Sequence, residues 1–205
     1  MSQVRITGGK ARGRKIKVPN IRGVRPSPDR ARTTLFNWLM PFPNSARVLD
    51  LFSGSGILGF EALSRGAQEA LFVDIHKKVA AQLQTVLKQW PHGRTKVFTA
   101  DCNKWLNHHT HEAPFDLIFL DPPFHQPELL EKCLTTIQTL GYLAQNGAIY
   151  FERGQQATVN IPAGLQIHRE KRFGSVVGTL LVTHTDANDQ TAHVSSSNNT
   201  DSTTD

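Results

Sequence analysis

The residues Asp121, Pro122, Pro123 and Phe124 directly follow an apolar run at 117–120 that is typical of a buried strand. Two consecutive prolines fix the backbone and remove two N–H donors, so the turn offers a carboxylate, a carbonyl oxygen and an aromatic ring. Two acceptors can hold both hydrogens of an exocyclic amine on a nucleic-acid base and favour its pyramidal form, whose lone pair can attack a sulfonium methyl group. Phe124 can stack on the base. The turn therefore indicates methyl transfer to a base amine, with Asp121, Pro122 and Phe124 as catalytic residues.

A glycine-rich turn, Phe52-Ser53-Gly54-Ser55-Gly56, follows an earlier strand that ends with Asp50 and Leu51. In open α/β sheets, ligands bind beyond the carboxyl ends of the strands. Glycine lets the backbone approach a ligand because it has no Cβ. We expect this turn to bind a cofactor.

Two further acidic residues follow or end predicted strands. Asp74 comes 18 residues after Gly56, where a carboxylate can accept hydrogen bonds from both ribose hydroxyls of an adenosine cofactor. Asp101, followed by Cys102, is placed to meet the adenine edge. The predicted cofactor-binding residues are Asp50, Phe52, Gly54, Ser55, Gly56, Asp74, Ile75, Asp101 and Cys102.

The run at 54–59 also matches the G-x-G-x-x-G pattern of nicotinamide dehydrogenases, which are therefore an alternative. Asp50 argues against them, because a pyrophosphate would add negative charge near this carboxylate, whereas the ammonium group of S-adenosylmethionine would be attracted to it. The Asp121–Phe124 turn argues against them more strongly. S-adenosylmethionine is therefore the expected cofactor.

Positive charge is concentrated at the start of the chain. The first 32 residues hold ten Lys and Arg and one Asp, a net charge of +9, whereas the other 173 hold 13 basic and 16 acidic residues, a net charge of −3. Alternating apolar residues on both sides of a glycine-rich stretch predict a β-hairpin with basic residues exposed. A solvated leader is the alternative, but it would not need this alternation. We expect the hairpin to bind RNA phosphates through Lys10, Arg12, Arg14 and Lys15.

The elements that must position these residues alternate between strands and helices. A first helix is predicted from a start at Ser27-Pro28-Asp29 to a point before Pro41. Further helices are predicted up to about residue 64 and at about 77–89 and 128–139, and strands at 46–51, 70–74, 96–100, 115–120 and 148–152. Segments 165–172 and 176–183 are predicted to form an antiparallel pair. This order predicts an α/β fold, with a mostly parallel sheet covered by helices on both faces.

The length of 205 residues predicts one α/β domain with a small appendage. The predicted parts are a basic hairpin arm at 1–24, a catalytic domain at 25–184 and a disordered polar tail at 185–205. No apolar run is long enough for a membrane helix, and the basic start lacks the apolar core of a secretory signal. Cys102 and Cys133 lie outside any C-x-x-C pattern, which favours a reducing cytoplasm. The histidines at 108, 109 and 111 match no standard metal site, and a solvated loop is the preferred interpretation.

The motifs together resemble those of the bacterial 16S rRNA guanine-N2 methyltransferase family. The resemblance runs in order over residues 3–183, and it is carried by RPSPDR at 25–30, LFNWL at 35–39, DLFSGSG at 50–56, Gly59, EALSRGA at 61–67 and DPPF at 121–124. It implies a class I S-adenosylmethionine-dependent methyltransferase fold, Rossmann-like, with an added N-terminal β-hairpin. It also implies a guanine of the small ribosomal subunit as target, in the assembled or assembling particle. The family often has Glu-x-Asp where this chain has Asp74-Ile75-His76, so the ribose contact rests on Asp74.

Two other functions are compatible with parts of this pattern. An amino-methyltransferase acting on adenine or cytosine, in DNA or RNA, would use the same catalytic turn. An RNA-binding assembly factor without catalysis would use the basic hairpin alone, and the intact Asp121–Phe124 turn argues against it.

Overall fold

The structure, a computed structural model, describes residues 3–17, 29–40, 44–123 and 126–183. Seven strands form one sheet in the order β5-β4-β3-β6-β7-β9-β8, and β1 and β2 form a separate antiparallel pair. The first five strands of that order run parallel, whereas β9 is antiparallel to both of its neighbours. The elements are β1 (Gln3–Arg5), β2 (Lys15–Lys17), α1 (Asp29–Trp38), β3 (Arg47–Leu51), α2 (Ile57–Ser64), β4 (Glu69–Asp74), α3 (Lys77–Leu87), β5 (Arg94–Thr99), α4 (Cys102–His108), β6 (Phe115–Leu120), α5 (Pro127–Thr139), β7 (Leu143–Gly154), β8 (Leu165–Phe173) and β9 (Val176–Thr183).

The central strands are apolar on both sides because helices cover both faces of the sheet. One face contributes side chains such as Phe72 and Phe119 to a core shared with α1, α2 and α3. The other face contributes side chains such as Val73 and Leu120 to a core shared with α4 and α5. Burying a large apolar side chain stabilises the fold by about 1.5–3 kcal/mol. The predicted Rossmann-like α/β fold is confirmed.

The strand order reverses direction between β3 and β6. From β3 the chain continues to β4 and β5 towards one edge, whereas from β6 it continues towards the other. The connections therefore leave a crevice beyond the carboxyl ends of β3 and β6, which is where open α/β sheets bind ligands. The chain segments after Leu51 and Leu120 meet at this crevice, since these two residues are paired in register.

The N-terminal hairpin is packed against the body and is part of its core. Val4, Ile6 and Ile16 are buried in the same apolar cluster as α1 and α2. Glu61 of α2 is fully buried and accepts hydrogen bonds from the Thr7 amide at 2.8 Å and the Thr7 hydroxyl at 2.7 Å. Arg65 makes an ion pair with the same carboxylate at 2.9 Å, so the buried charge of Glu61 is balanced.

The glycines of the hairpin allow its backbone to touch the end of α2. The Ser64 hydroxyl donates to the Gly8 carbonyl at 2.6 Å, and the Ser64 carbonyl accepts from the Lys10 amide at 2.7 Å. A Cβ on Gly9 would lie 1.9 Å from the Ser64 oxygen, and Gly9 has a φ of 75°, so any other residue there would push the hairpin away.

Three sequence predictions need correction or fall outside the described residues. Helix α4 was not predicted, because its seven residues make only about two turns. Strand β7 begins at Leu143 and not at 148, and this first part, which contains the polar Gln145 and Asn146, pairs with β6 across a register shift. Ser27 and Pro28, the boundary at 24 and the tail at 185–205 lie outside the described residues, so these remain predictions.

Candidate active site

The loop after β3 is held in a fixed shape by its own hydrogen bonds. The Ser53 hydroxyl lies within hydrogen-bond distance of the Asp50 carbonyl at 2.6 Å and the Val73 carbonyl at 3.1 Å. Phe52 has a φ of 63°, in the left-handed region that a residue with a Cβ rarely adopts. Backbone strain of this kind costs about 1–3 kcal/mol and concentrates at functional sites. The sequence gives no sign of this strain at Phe52.

The two glycines of this loop differ in their surroundings. Gly54 and Gly56 both have positive φ, at 53° and 72°. A Cβ on Gly56 would meet Leu83 at 2.5 Å and Phe60 at 2.9 Å, so glycine at 56 is required by packing against α2 and α3. The presence of glycine at 56 is therefore explained by packing as well as by the predicted approach of a ligand. Gly54 differs, because its amide donates a hydrogen bond to Asp74.

Asp74 connects the end of β4 to the loop after β3. Its Oδ2 accepts from the Gly54 amide at 2.9 Å, and its Oδ1 accepts from the His76 amide at 2.8 Å. His76 is the residue before α3, and its ring lies 3.0 Å from the same Oδ1. Ile75 is 60% exposed, an uncovered apolar side chain next to this carboxylate.

Asp50 lies behind the loop and is buried. Its Oδ2 accepts from the Gly59 amide at 3.1 Å. Burial raises the pKa of Asp50 well above its ordinary value, the Gly59 hydrogen bond lowers it in part, and the charge of Asp74 raises it again. A cation at this crevice would favour the ionised form of Asp50.

Asp101 and Cys102, which were predicted to bind the cofactor, both have structural roles at the start of α4. Asp101 is the N-cap of α4, and its Oδ1 accepts from the Lys104 amide at 3.0 Å. The Cys102 thiol is buried 3.6 Å from the Cys133 sulfur of α5, so this side chain packs between two helices. The hydrogen bond to Cys102 and burial both raise the pKa of Cys133.

The predicted catalytic turn after β6 lies beside a buried carboxylate, Glu152, that was not predicted from the sequence. Burial and the charges of Glu152 and Asp50 raise the pKa of Asp121 well above its ordinary value. Glu152 is 4% exposed near the end of β7, and its Oε1 accepts from the buried Tyr150 hydroxyl at 3.0 Å. Burial, followed by the charge of Glu152, also raises the pKa of Tyr150. The sequence signal that could have identified Glu152 is its position as an acidic residue directly after the apolar run at 148–151 of β7.

Pro122 is buried and Pro123 is exposed at the same turn. The Gln126 amide donates to the Pro123 carbonyl at 3.0 Å. A shallow hollow beside the turn is lined by residues that include Pro122, Pro123, Glu152 and Arg153. Phe124, predicted to stack on the base, lies outside the described residues, so its role remains a prediction.

The predicted RNA-binding residues fall into two groups. Lys10, Arg12 and Lys15 are exposed on the hairpin. Arg14 is partly buried, donates to the Gln89 carbonyl at 3.0 Å, and places its guanidinium carbon 4.9 Å from the centre of the Trp90 ring. Arg14 therefore helps attach the hairpin to the body.

Replacing Asp121 with Asn should stabilise the protein at neutral pH in the absence of ligand. Because the folded-state pKa of Asp121 is raised, its stabilising contribution is complete below the ordinary carboxyl pKa of about 4 and is lost as the pH rises through the folded-state pKa. Asn does not titrate and avoids this loss. We expect the thermal midpoint of the variant to exceed that of the wild type at pH 7 by about 2–4 °C for each kcal/mol relieved.

At pH values below about 4, the difference in thermal midpoint between Asp121→Asn and the wild type should disappear, since Asp121 is then protonated in both the folded and the unfolded state. The exposed Glu112→Gln is the matched control, and it should show no such pH-dependent gain. A midpoint for Asp121→Asn at or below that of the wild type throughout the range would contradict the raised pKa.

Among the described residues, no three His, Cys, Asp or Glu side chains form a group that could hold a metal ion. None of the helices in the described ranges combines the length and apolar character needed to cross a membrane.

Comparisons with known proteins find one family over most of the chain. A family model described as Conserved hypothetical protein 95 matches residues 4–182. The protein named Ribosomal RNA small subunit methyltransferase D from Escherichia coli (strain K12) is 40% identical over 175 residues, which cover 85% of this chain and 87% of that protein. Its namesake from Haemophilus influenzae is 39% identical over 176 residues, 85% of this chain and 91% of that protein. The solved structure of yhhF from Escherichia coli has a TM-score of 0.80 at 37% identity and covers 90% of this chain and 100% of that chain.

Proposed function

The chain belongs to the family of ribosomal RNA small subunit methyltransferase D, and from this premise we propose that it transfers a methyl group from S-adenosylmethionine to the exocyclic N2 amine of a guanine in 16S ribosomal RNA. The observation that supports this most is the arrangement of carboxyl groups at the crevice. Asp50, Asp121 and Glu152 approach one another closely enough that the charges of Asp50 and Glu152 raise the pKa of Asp121. A site of this kind suits a cationic ligand.

S-adenosylmethionine fits this site by charge. Its sulfonium and ammonium groups are positive, and either would favour the ionised carboxylates that burial now disfavours. The phosphates of NAD are negative and would be repelled by the same groups. The charge at the crevice therefore favours the methyl donor over the dinucleotide.

The cofactor residues act as follows in this proposal. Asp50 would attract the ammonium group, and the loop of Phe52, Gly54, Ser55 and Gly56 would hold the methionine part. Asp74 accepts from the ribose hydroxyls, for which each carboxylate oxygen has a second lone pair. The exposed Ile75 would pack on the adenine ring, and Asp101 and the Cys102 backbone would contact its edge.

The cofactor, when bound, would supply an electrophilic methyl group and leave as S-adenosylhomocysteine once its sulfur–methyl bond breaks, and the catalytic turn would present the amine. The Asp121 carboxylate and the Pro122 carbonyl accept one hydrogen each from the guanine N2, and Phe124 stacks on the ring. Alignment of the two reacting groups supplies much of the acceleration. The methylated nitrogen must then lose a proton, and the raised pKa of Asp121 suits it to accept that proton at a carboxylate oxygen. No covalent enzyme intermediate is needed.

RNA binding belongs to the basic hairpin arm at 1–24 in this proposal, and catalysis to residues 25–184. Lys10, Arg12 and Lys15 are exposed and available to phosphates. The first 32 residues carry a net charge of +9, whereas the chain after residue 32 has a net charge of −3. The partner is 16S rRNA in the small subunit or its assembly intermediate, which places the enzyme in the cytoplasm.

Asp74→Ala should weaken cofactor binding about ten- to a hundredfold. Charge-assisted hydrogen bonds contribute about 1.5–3 kcal/mol, and the change also releases the Gly54 amide that shapes the loop. Calorimetry with S-adenosylhomocysteine measures the loss, and far-UV circular dichroism checks that the fold is kept. Unchanged affinity would remove Asp74 from the site.

S-adenosylmethionine should raise the thermal unfolding midpoint and NAD should not. At a ligand concentration of 100 times the dissociation constant, binding stabilises by about 2.7 kcal/mol, or roughly 5–10 °C for a chain of this size. An equal shift with NAD at the same concentration would favour the dehydrogenase alternative.

The function itself is tested by transfer of a labelled methyl group to small subunits that lack the modification, followed by digestion to nucleosides. The proposal expects the label in N2-methylguanosine. Label in a methylated adenosine or cytidine would favour the alternative amino-methyltransferase, and RNA binding without any label would favour the assembly factor.

A further inference from the structure

The edge strand β8 carries a basic surface that the methyl-transfer site does not use. All but its first and last residues are exposed, and they include His168, Arg169, Lys171 and Arg172 beside the single acid Glu170. Among the residues that the structure describes, β8 is paired on one side only, with β9, and is the last strand of the sheet. Concentrated positive charge here contrasts with the net charge of −3 that the chain carries after residue 32.

Strand register places this surface at the catalytic end of the sheet. Leu120 pairs with Phe151, so Asp121 and Glu152, the next residues, are level with each other. Glu152 pairs with Gly178, and Gly178 pairs with Lys171. Lys171 therefore lies level with the catalytic turn and three strands from β6, a distance of about 14 Å at about 4.8 Å per strand.

The basic side chains of β8 lie on both faces, and the acid lies on one. Glu170 pairs with Thr179, accepts from its hydroxyl at 2.9 Å, and makes an ion pair with Arg153 at 3.2 Å. Arg169 pairs with Leu180, which belongs to the core shared with α1 and the N-terminal hairpin. Directly paired residues share a face, and Lys171, two positions on, lies on the same face as Arg169. Within the described part of the chain, neither Arg169 nor Lys171 forms an ion pair.

The last residue of β8 adds an aromatic ring beside these charges. The Lys171 Nζ lies 5.9 Å from the centre of the partly exposed Phe173 ring, and the Arg172 Nε donates to the Gly174 carbonyl at 2.7 Å. Cations next to an aromatic ring are the combination that binds a single-stranded nucleic-acid backbone and stacks its bases.

Lysines on an edge strand also prevent strands of two molecules from pairing, which is a purely protective role. That role explains charge anywhere along an edge, but it does not explain why the charges extend to the catalytic end and stand beside an aromatic residue. We propose that Arg169, Lys171 and Arg172, called here the β8 basic edge, bind phosphates of the RNA strand that carries the target nucleotide. This second docking site is separate from the hairpin, and it rests on the proposed function.

The test compares two edge strands of one sheet. Arg169→Ala/Lys171→Ala removes two positive charges from β8, and the control Arg94→Ala/Lys96→Ala removes two from exposed positions on β5, the opposite edge. With unmethylated small subunits as substrate, we expect the β8 variant to raise KM several-fold and leave kcat unchanged. Its plot of log affinity against log salt should flatten by about 1.4, at about 0.7 per lost phosphate contact.

Further measurements distinguish a failure of this inference from a failure of the proposed function. The charge-conserving Arg169→Lys/Lys171→Arg should retain wild-type KM, and all variants should bind S-adenosylhomocysteine as the wild type does. A β8 variant whose KM and salt slope equal those of the β5 control, with a wild type that methylates, would overturn this inference alone. A wild type that binds the subunit and methylates nothing would overturn the proposed function and this inference with it.

Discussion

Asp121→Ala should reduce methyl transfer at least roughly a hundredfold, about 2.7 kcal/mol of barrier, while the protein still folds and binds RNA. Asp121 contributes one of the two acceptors in the turn, and it is held at the end of a fully buried part of β6 by Pro122. Alanine removes that acceptor and also the group that receives the proton in the proposed mechanism. Single-turnover transfer of labelled methyl groups to unmethylated subunits measures the loss, because it excludes product release.

Asp121→Asn serves as the graded variant of this experiment. Asn keeps one acceptor oxygen but has neither the negative charge nor the capacity to take up the proton, so its rate should fall between those of the wild type and Asp121→Ala. Affinity for S-adenosylhomocysteine should change little in either variant. A rate for Asp121→Ala above about a tenth of the wild-type value, less than 1.4 kcal/mol of barrier, would contradict the polarisation mechanism.

The fold could be predicted from the sequence because strands that are buried on both faces must be nearly continuous apolar runs. Strand β6 was located from 115 to 120, as observed, because Leu117 to Leu120 have nothing polar to expose. The first part of β7 could not be located, since Gln145, Asn146 and Gly147 interrupt its apolar pattern and its pairing with β6 shifts register. Its pairing is decided by the neighbouring strand and not by its own sequence.

The candidate site was predictable as far as it depends on single residues at strand ends. Asp50, Asp74 and Asp121 were all found in this way, and all lie at the carboxyl edge of the sheet. Their electrostatic coupling was not predictable, because it depends on distances between strands that are far apart in the chain. Glu152 was missed for this reason: its effect on Asp121 arises only when β7 lies next to β6.

Several residues chosen for ligand contact also have structural roles. Gly56 avoids a collision with Leu83, Asp101 caps α4, and Asp74 holds the Gly54 amide. These roles do not exclude ligand contacts, since a carboxylate has more acceptor positions than one hydrogen bond uses. They do predict that a substitution at such a residue changes the shape of the loop as well as the number of ligand contacts.

Replacing Lys10, Arg12, Arg14 and Lys15 with Ala should flatten the salt dependence of RNA binding by roughly three units, at about 0.7 per phosphate contact. These side chains belong to the first 32 residues, which carry a net charge of +9, and the hairpin packs on the C-terminal end of α2, whereas the loop proposed to bind the cofactor precedes its N-terminal end. S-adenosylhomocysteine affinity should therefore be kept. Filter binding of 16S rRNA between about 50 and 200 mM salt measures the slope.

The structure divides this prediction into two parts. Lys10, Arg12 and Lys15 are exposed, so replacing these three alone should flatten the slope by about two units without a loss of stability. Arg14→Ala alone should lower the thermal midpoint, because it removes the contact with Trp90 and the hydrogen bond to Gln89 that attach the hairpin. A cation lying on Trp contributes about 0.5–2 kcal/mol, or about 1–8 °C here. A salt slope equal to the wild type in the triple variant would mean that the hairpin serves only as packing, and the phosphate contacts would then have to come from other surfaces such as the β8 basic edge.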